Sequence, residues 1–316
     1  MLNRWITLCY CWWVGMLAAM PAAACLQDSV YAFSYFTGNG EDGLHLAYSE
    51  DGFIWTALNG GRTLLKPELS KDRLMRDPCI IRGGDGRFHL VWTVSWTDRG
   101  IGYAASDDLI HWSRQQYIPV MAHESDARNC WAPEVTYDPE DDLYYIYWAT
   151  TIRGRFPETQ IEADDGYNHR MYYVPTRDFR TFSETRLFYD PGFNVIDATI
   201  VRDGGRWVMF LKDETRDPVQ KNLKIAYADR LGGPYSEAGP PITGSYWAEG
   251  PTAIKAGGKW IVYFDKYTEH RYGALMSGDL IRWEDVSDRL VMPDGIRHGT
   301  VFRISRHELE RLKALD

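Results

Sequence analysis

Residues 76–92 read RDPCIIRGGDGRFHLVW, and this stretch decides the fold. An acidic start precedes an apolar run, a turn rich in Gly and Asp follows, and a second apolar run ends on Trp92. Two apolar runs joined by such a turn predict a β-hairpin. The same phrase returns in three other places: APEVTYDPEDDLYYIYW (132–148), IDATIVRDGGRWVMFL (196–211) and EGPTAIKAGGKWIVYF (249–264).

A second phrase lies between the hairpins. Each copy has a short apolar strand, a polar turn with Asp and then an aromatic residue, and the copies occupy 47–55, 104–112, 174–182, 226–235 and 275–283. Their starts are separated by 57, 70, 52 and 49 residues. Strands that repeat with this period predict a β-propeller, in which one hairpin and one copy of the second phrase form a four-stranded blade.

The fifth hairpin is split between the two ends of the chain. HGTVFRI (298–304) matches its first strand, whereas VYAFSYF (30–36) and LHLAYS (44–49) match the remainder. We therefore expect an all-β, five-bladed β-propeller over residues 26–316, with its ring closed by a blade shared between N- and C-terminal strands. This closure leaves no long exposed edge. Ser305 and Glu308 have the spacing of a capping box, which predicts a short C-terminal helix.

Composition and net charge indicate what kind of ligand the protein binds. The chain has 316 residues, of which 45% are hydrophobic and 14% aromatic, so a large core is available. The formal net charge is −9 and there is no long basic run, so we expect no nucleic-acid partner. An uncharged ligand fits this balance better, and exposed aromatic side chains stack on sugar rings. We expect a monomer that acts on a carbohydrate.

The N-terminus has the features of an export signal. Arg4 is followed by the apolar stretch 5–20 and by PAAAC (21–25), so residues 1–25 are predicted to be a signal peptide and the protein periplasmic or extracellular. Cleavage alone and lipidation at Cys25 both stay open, and the second would make the protein an outer-membrane lipoprotein attached only through that lipid. Cys79 and Cys130 either pair or remain as two buried thiols.

Acidic residues recur at the start of the innermost strand in three of the blades. Aligning DPCIIR, APEVTY, DATIVR and HGTVFR places Asp77, Ala132, Asp197 and His298 at equivalent positions, with Glu249 one residue out of register. Three carboxyl groups and a histidine should therefore meet at one mouth of the channel. Such like charges favour retention of a proton, which a general acid requires. The structural alternative is that these acids bind a central cation or cap loops.

The residue types at this mouth suit sugar chemistry. Two carboxyl groups across a cavity, one protonated and one ionised, are sufficient to cleave a glycosidic bond. Trp131, Trp247 and Tyr267 lie near the same mouth in sequence, and each either stacks on a sugar or packs between blades.

The ordered motifs RDPCII, WAPEV, VIDATI, AEGPTAIK and RHGTVFRI resemble the family 43 glycoside hydrolases, five-bladed propellers that include arabinofuranosidases, xylosidases and exo-galactanases. The resemblance implies that Asp77 is the general base, Asp197 orients the acid and tunes its pKa, and Glu249 is the general acid. It also implies that His298 lies near the channel axis beside a bound ion, often calcium, although no cofactor is required. The residues expected to bind the sugar are Trp131, Glu134, Trp247, Tyr267 and Arg271.

The family is inverting, so the resemblance implies a water between Asp77 and the sugar. It favours removal of terminal arabinofuranosyl or similar units from plant-type polysaccharide. This chain departs from the family in two ways, since IDAT replaces the commoner IDP and residues 30–57 precede Asp77. The loop 152–170 is expected to wall one side of the mouth.

Three other functions compete with this interpretation. A fructan hydrolase of family 32 also carries RDP, but it needs an NDPNG-type segment that this chain lacks. A sialidase is suggested by SEDGFIW (49–55), but sialidases have six blades and an arginine triad. A non-catalytic glycan-binding propeller, displayed through Cys25, would keep the aromatic residues and use the acids as ion ligands.

Overall fold

Strands dominate the computed structural model, which describes residues 29–315. The strands are β1 (Ser29–Tyr35), β2 (His45–Ser49), β3 (Thr56–Ala57), β4 (Arg76–Arg82), β5 (Phe88–Thr93), β6 (Ile101–Ser106), β7 (Gln116–Ile118), β8 (Trp131–Asp138), β9 (Leu143–Thr150), β10 (Arg170–Thr176), β11 (Arg186–Tyr189), β12 (Val195–Asp203), β13 (Arg206–Asp213), β14 (Asn222–Ala228), β15 (Glu249–Ala256), β16 (Lys259–Lys266), β17 (Arg271–Ser277), β18 (Glu284–Asp285) and β19 (Thr300–Ser305). One α-helix, α1 (Arg306–Lys313), follows β19. Short 3-10 turns occupy Asn59–Gly61, Pro157–Thr159, Glu162–Asp164 and Ser287–Arg289.

The strands form five antiparallel sheets, which are the blades of a propeller. Blade I is β4–β7, blade II is β8–β11, blade III is β12–β14 and blade IV is β15–β18, while blade V joins β19 to β1, β2 and β3. The innermost strands β4, β8, β12, β15 and β19 contact one another in that order, and β19 contacts β4. The predicted five-bladed propeller, closed by a blade from both chain ends, is therefore confirmed.

Blade III has three strands instead of the predicted four. The segment after β14 still donates three backbone hydrogen bonds to it, from Ser236 to Tyr227, from Gly239 to Ile225 and from Ile242 to Leu223, at 2.8 to 2.9 Å. Pro240 and Pro241 lie in this segment and have no N–H group to donate. Their missing donors explain why the segment runs along the blade without becoming a strand.

One apolar layer lies between each pair of neighbouring blades. In β13, Trp207, Met209 and Leu211 face blade II, whereas Val208 and Phe210 face blade IV. Side chains alternate across a strand, so the near-continuous apolar runs of the sequence bury both faces of each blade.

The aspartate in the second repeated motif stabilises the turn that recurs in the blades. Asp51 Oδ1 accepts the backbone N–H groups of Phe53 and Ile54 at 2.7 and 2.9 Å, and Asp108, Asp178 and Asp279 make the equivalent pair of bonds in their own blades. The side chain thus replaces the backbone acceptors that the turn lacks.

Sequence predictions also concern the C-terminal helix, the N-terminal signal peptide and the cysteines. Ser305 and Glu308 form the predicted capping box at the start of α1. The predicted signal peptide and Cys25 lie outside the described residues. No helix within residues 29–315 is long and apolar enough to cross a membrane. Cys79 and Cys130 are both buried free thiols, so the alternative in which they pair is wrong.

Candidate active site

A bulge at the start of four of the five innermost strands shapes one mouth of the channel. The pairing register shifts between Arg76 and Cys79 in blade I, and at the equivalent points of blades II, III and IV. One residue in each bulge has a left-handed backbone, with φ between 45° and 57°: Asp77, Ala132, Asp197 and Gly250. Bulges redirect side chains at the rims of sheets, and these point residues into the mouth.

Two sets of equivalent positions result. The first mouth position holds Arg76, Trp131, Ile196, Glu249 and Arg297 in blades I to V, and the second holds Asp77, Ala132, Asp197, Gly250 and His298. The register slip that the sequence indicated for Glu249 is therefore real, because Gly250 occupies the position equivalent to Asp77. Glycine is required there, since a Cβ on Gly250 would lie 2.4 Å from His298 Cγ.

These positions surround a cavity of about 270 Å³. It brings together seven of the predicted site residues: Asp77, Trp131, Asp197, Trp247, Glu249, Tyr267 and His298. Ten other residues complete the wall: Arg76, Thr93, Trp96, Ala132, Ile196, Lys212, Glu214, Arg216, Lys221 and Arg297.

Asp77 is held as a carboxylate. Its Oδ2 accepts a hydrogen bond from Thr93 Oγ1 at 2.8 Å, and its Oδ1 lies 3.3 Å from His298 Nδ1. Burial raises the pKa of Asp77, but the hydrogen bond and charge of His298, with Arg76 and Thr93, outweigh it and lower the pKa to about 2. Burial likewise opposes the charge on His298, yet its carboxylate neighbours raise the pKa of His298 to about 9. At neutral pH the pair is aspartate and imidazolium.

In Asp197 the effects that raise the pKa outweigh those that lower it. Its Oδ2 accepts the backbone N–H of Gly250 at 3.0 Å, which ties blade III to blade IV. Burial, with the charges of Glu249 and Asp77, raises the pKa of Asp197 to about 6, although His298 and Lys212 oppose the rise. A carboxyl group in this range exchanges its proton near neutral pH.

Glu249 is flanked by two cations. Its Oε2 accepts a hydrogen bond from Lys212 Nζ at 3.0 Å, and its Oε1 lies 3.3 Å from Arg297 Nη2. Arg297 also donates from Nε to Asp265 at 2.8 Å. Burial and the charge of Glu249 raise the pKa of Asp265 to about 6, against the opposing effect of Arg297. The carboxyl group predicted to be the acid thus belongs to a network of charges.

The network continues through Glu214. Lys212 Nζ lies 2.6 Å from Glu214 Oε2, and Lys221 contacts the other oxygen of that carboxylate. Burial raises the pKa of Glu214, but the two lysines lower it to about 2. The carboxylates Glu249 and Glu214 raise the pKa of Lys212 well above its usual value, although burial acts the other way. These buried ions are therefore fixed by mutual pairing.

Aromatic side chains form two walls. On one side Trp131 packs edge-on against Trp96, with ring centres 5.6 Å apart, and its Nε1 donates to the Trp96 carbonyl at 2.9 Å. On the other side Trp247 lies 5.8 Å from Tyr267, ring centre to ring centre. Trp96 and Trp247 are 42% and 37% exposed, so both offer ring area to a ligand.

Two predicted binding residues lie outside this cavity. Glu134 is buried inside the channel, where Tyr147 Oη donates to it at 3.2 Å and Thr300 Oγ1 at 3.4 Å. Its side chain points inward because it lies two residues beyond the second mouth position of blade II. Arg271 is exposed, pairs with Glu269 at 2.7 Å and lines a neighbouring cavity that shares Tyr267 and Arg297 with the mouth.

The loop 152–170 backs the mouth instead of lining it. Its residue Tyr167 packs on Trp131 with ring centres 4.9 Å apart. Asp165 of the same loop pairs at 2.8 Å with Arg216, which does line the cavity. The predicted wall is thus made by residues that the loop supports.

The residues around His298 do not fit direct ligation of calcium. Its Nδ1 faces Asp77, and the raised pKa of His298 means that the ring carries both protons and has no lone pair to offer. Within residues 29–315, no group of three or more His, Cys, Asp or Glu side chains is arranged to hold a metal. The imidazolium already supplies positive charge between Asp77 and Asp197, so we derive no step through an ion.

Sequence alignment of the blades missed several residues in or beside the mouth. Lys212 and Asp265 each lie one residue before the end of the second strand of their blade, directly opposite Ile196 and Glu249. Arg76 and Arg297 occupy the first mouth position. Extending the alignment by one residue, as the slip at Glu249 indicated, would have found both arginines. The two cross-strand partners carry no such signal, because strand register is not visible in one sequence.

Comparison with known proteins agrees with this geometry. Residues 28–310 match a family model related to glycosyl hydrolase family 43, whose description reads "Probable glycosyl hydrolase domain". An α-L-arabinofuranosidase of Bifidobacterium longum subsp. longum is 25% identical over 270 residues, which are 72% of this chain and 25% of that protein. The chain therefore spans about a quarter of that relative's length.

Solved structures share the fold. The α-L-arabinofuranosidase of Lactobacillus brevis superposes with a TM-score of 0.52 at 18% identity, covering 67% of this chain and 72% of that one. The exo-β-1,3-galactanase of Phanerochaete chrysosporium superposes with a TM-score of 0.51 at 12% identity, covering 82% and 54%. At this identity they show the architecture alone. Since the family model covers most of the chain, this protein belongs to the glycosyl hydrolases related to family 43, which confirms the predicted family and the predicted glycosidase class.

Proposed function

We propose that this protein hydrolyses O-glycosidic bonds of plant-type polysaccharides or oligosaccharides with inversion, and that it removes terminal arabinofuranosyl or similar sugars. One observation carries the proposal. Asp77 of blade I and Glu249 of blade IV line the same cavity, although blade V separates them on one side and blades II and III on the other. Two carboxyl groups on opposite sides of a cavity can act on opposite faces of a sugar ring.

In this mechanism Asp77 is the general base. His298 and Thr93 hold it as a carboxylate, and both fix its direction. Asp77 accepts a proton from a water that attacks the anomeric carbon. An inverting pair has its carboxyl groups about 6.5 to 9.5 Å apart, which leaves room for that water.

Glu249 is the general acid and needs a proton to donate. Two carboxyl groups near Glu249 can hold one, because burial and the charge of Glu249 raise the pKa of Asp197 and of Asp265 to about 6. Asp265 also shares Arg297 with Glu249. A proton is therefore retained among these carboxyl groups close to neutral pH. In the proposed mechanism Glu249 donates it to the departing oxygen.

The stereochemical course tests the mechanism. Proton NMR of a working reaction should show the product first in the anomeric configuration opposite to that of the substrate. Asp77→Asn should reduce turnover about 10²- to 10⁴-fold, the usual contribution of a positioned base. A product that first appears with retained configuration would overturn the inverting mechanism.

The proposed sugar rests on similarity to the Bifidobacterium relative, whose printed name is α-L-arabinofuranosidase. A screen of aryl arabinofuranoside, xyloside and galactoside would test it directly. We expect the arabinofuranoside to give the largest kcat/KM. Preference for either of the other two would replace arabinose in the proposal without changing the mechanism.

A second candidate is a glycan-binding propeller that has no catalytic activity. The observation that favours it is that both oxygens of Glu249 face cations. Turnover that disappears in both Asp77→Ala and Glu249→Ala would exclude this candidate. Sugar binding without turnover by the unaltered protein would establish it.

We also propose that the protein is exported and acts as a monomer without a required cofactor. The support is the N-terminal sequence and the pairing of His298 with Asp77. Cell fractionation and mass determination of the mature protein would test export and lipidation at Cys25. Activity that survives a chelator would support the absence of a required ion.

A further inference from the structure

Arg76 differs from the other cations of the mouth cavity. It has no salt bridge to any carboxylate within residues 29–315. Each of the others has one: Lys212 to Glu249 at 3.0 Å, Lys221 to Glu214, Arg216 to Asp165 at 2.8 Å, Arg297 to Asp265 at 2.8 Å and His298 to Asp77 at 3.3 Å. The charge of Arg76 helps to lower the pKa of Asp77 and of Glu41, but among the described residues it makes no direct ion pair with either.

The guanidinium is held with one edge available. Its Cζ lies 4.7 Å from the ring centre of Phe36 and 4.3 Å from that of Trp96, so two aromatic rings contact the group. Its Nη1 donates to Asn39 Oδ1 at 2.9 Å. Among the described residues, Nε and Nη2 have no acceptor. That edge is the one that binds a carboxylate with two parallel hydrogen bonds.

The neighbouring carboxyl groups are already engaged. Asp77 uses its two oxygens on His298 and Thr93. Glu41 is bridged to Arg76 by Asn39, whose Nδ2 donates to Glu41 at 2.9 Å, and the charge of Arg76 acts on Glu41 without a direct ion pair. Neither carboxylate therefore forms a direct ion pair with Arg76.

Trp96 offers an exposed aromatic surface beside the guanidinium. Its ring centre lies 4.3 Å from Arg76 Cζ, the residue is 42% exposed, and its backbone carbonyl accepts a hydrogen bond from Trp131 Nε1. Sugar rings stack on such surfaces. A planar anion acceptor beside a stacking surface matches a sugar that carries a carboxylate.

We propose that Arg76 and Trp96 form a subsite for a uronate unit of the substrate, beside the candidate base. This inference rests on the proposed function, because it names the class of sugar that the same cavity takes. It also changes the expectation drawn from net charge, which favoured an uncharged ligand. Charge at this cavity is local, and the total of the chain does not describe it.

Binding of free sugars tests the subsite without turnover. Glucuronate and glucose differ only at C6, and galacturonate and galactose form a second matched pair. Calorimetry or ligand-detected NMR with the unaltered protein should show at least one uronate bound about 10-fold more tightly than its neutral partner, which corresponds to one charged hydrogen-bonded contact. Added salt should weaken that preference.

Substitutions test whether Arg76 causes the preference for uronates. Arg76→Gln should abolish that preference and leave the affinity for the neutral sugar, while Arg76→Lys should keep part of the preference. Arg289→Gln is the matched control, since Arg289 also stacks on an aromatic ring, Phe53, at 3.7 Å but is exposed and outside the cavity. Thermal unfolding would verify that each variant is folded.

Equal affinity for both members of each pair overturns the proposal, as does failure of both uronates to bind. A preference that survives Arg76→Gln overturns it too. Hydrolysis of neutral aryl glycosides is measured separately. Turnover without a uronate preference would remove this inference and leave the proposed function, whereas a preference without turnover would do the reverse.

Discussion

Lys212 Nζ lies 3.0 Å from Glu249 Oε2, so a buried lysine directly contacts the carboxyl group that the mechanism uses as the acid. Lys212 lies one residue before the end of β13, opposite Ile196, and Glu249 begins β15 in the next blade. The contact therefore joins two blades. Lys212 also lowers the pKa of the nearby Asp197, against the effect of burial.

Lys212→Met should raise the pKa of Asp197 further, because the charge of Lys212 lowers that pKa in the unaltered protein. Activity that depends on the proton held by Asp197 should therefore keep its alkaline limb to a higher pH, by up to about one unit in the kcat/KM profile. Lys224→Met is the control, since Lys224 pairs with Asp213 at 2.7 Å and does not line the cavity. An unchanged limb in Lys212→Met would contradict the argument.

Glu249→Gln should discriminate between leaving groups. Glycosides whose leaving group needs protonation should lose about 10²- to 10⁴-fold in kcat/KM. Aryl glycosides with acidic phenols should lose far less, because they depart unprotonated. Glu269→Gln, at the exposed pair with Arg271, serves as the control. Equal losses on both substrate classes would argue against an acid role for Glu249.

His298→Gln should alter the pH dependence of stability. The pKa of His298 is raised to about 9 in the folded protein, so its contribution is complete below the unfolded value of about 6.5 and is lost as pH rises through 9. The same pair lowers the pKa of Asp77 to about 2, a contribution present above pH 3.8 and lost as pH falls through 2. The unaltered protein should lose on the order of 3 kcal/mol between pH 6.5 and 9 that the variant does not lose.

Denaturant unfolding at a series of pH values checks this expectation. The control is His111→Gln, which removes an exposed His–Asp pair whose histidine side chain is 82% exposed. That variant should keep the slope of the unaltered protein between pH 7 and 9. If the free energy of unfolding changed with pH in the same way for His298→Gln and the unaltered protein, the buried His298–Asp77 pair would not be the cause of the pH dependence.

Glu134→Gln should stabilise the protein at higher pH. Burial raises the pKa of Glu134 to about 7, although Thr199, His298, Tyr147 and Thr300 oppose the rise. A carboxyl group with a raised pKa contributes stability below its unfolded value, and that stability is lost as pH rises through 7. Glutamine does not ionise, so the variant should gain about 2 to 3 kcal/mol relative to the unaltered protein between pH 4.5 and 7.

The matched control for this experiment is Glu140→Gln, because Glu140 is exposed and pairs only with Arg202 at the surface. Thermal or denaturant unfolding measures both variants. A gain for Glu134→Gln that does not depend on pH would point to repacking of the channel instead of ionisation.

Trp247→Ala should weaken substrate binding. The ring lines the cavity, is 37% exposed and is backed by Tyr267. Loss of one stacking contact should raise KM about 3- to 10-fold with little change in kcat. Trp247→Phe keeps an aromatic face and should recover most of the affinity. A fall in kcat with unchanged KM would place Trp247 in the chemical step instead.

The sequence alone was sufficient for the architecture, because the features that specify it are local and repeated. Apolar runs, turns with Asp or Gly and the same order of motifs recur from blade to blade, and the split hairpin at 30–49 and 298–304 identifies the closing blade. Blade III departs from the pattern where Pro240 and Pro241 interrupt the fourth strand.

The same repeat predicted which innermost-strand residues reach the mouth. Asp77, Asp197 and His298 are equivalent in sequence and in the structure, and the slip at Glu249 reports a real difference between its blade and the others. It could not show that Glu134 and Arg271 lie elsewhere. Their positions depend on the direction of a side chain past a bulge and on where a strand meets the rim.

Only the tertiary structure decided the charges of the mouth. The contacts of Lys212 with Glu249, of Arg297 with Asp265 and of His298 with Asp77 join different blades, and strand register and blade packing create them. Composition gives a net charge of −9, yet burial and pairing fix which carboxyl groups are ionised and leave Arg76 without a salt bridge among residues 29–315. Ionisation depends on distances of a few ångströms and on access to water, and a linear sequence contains neither.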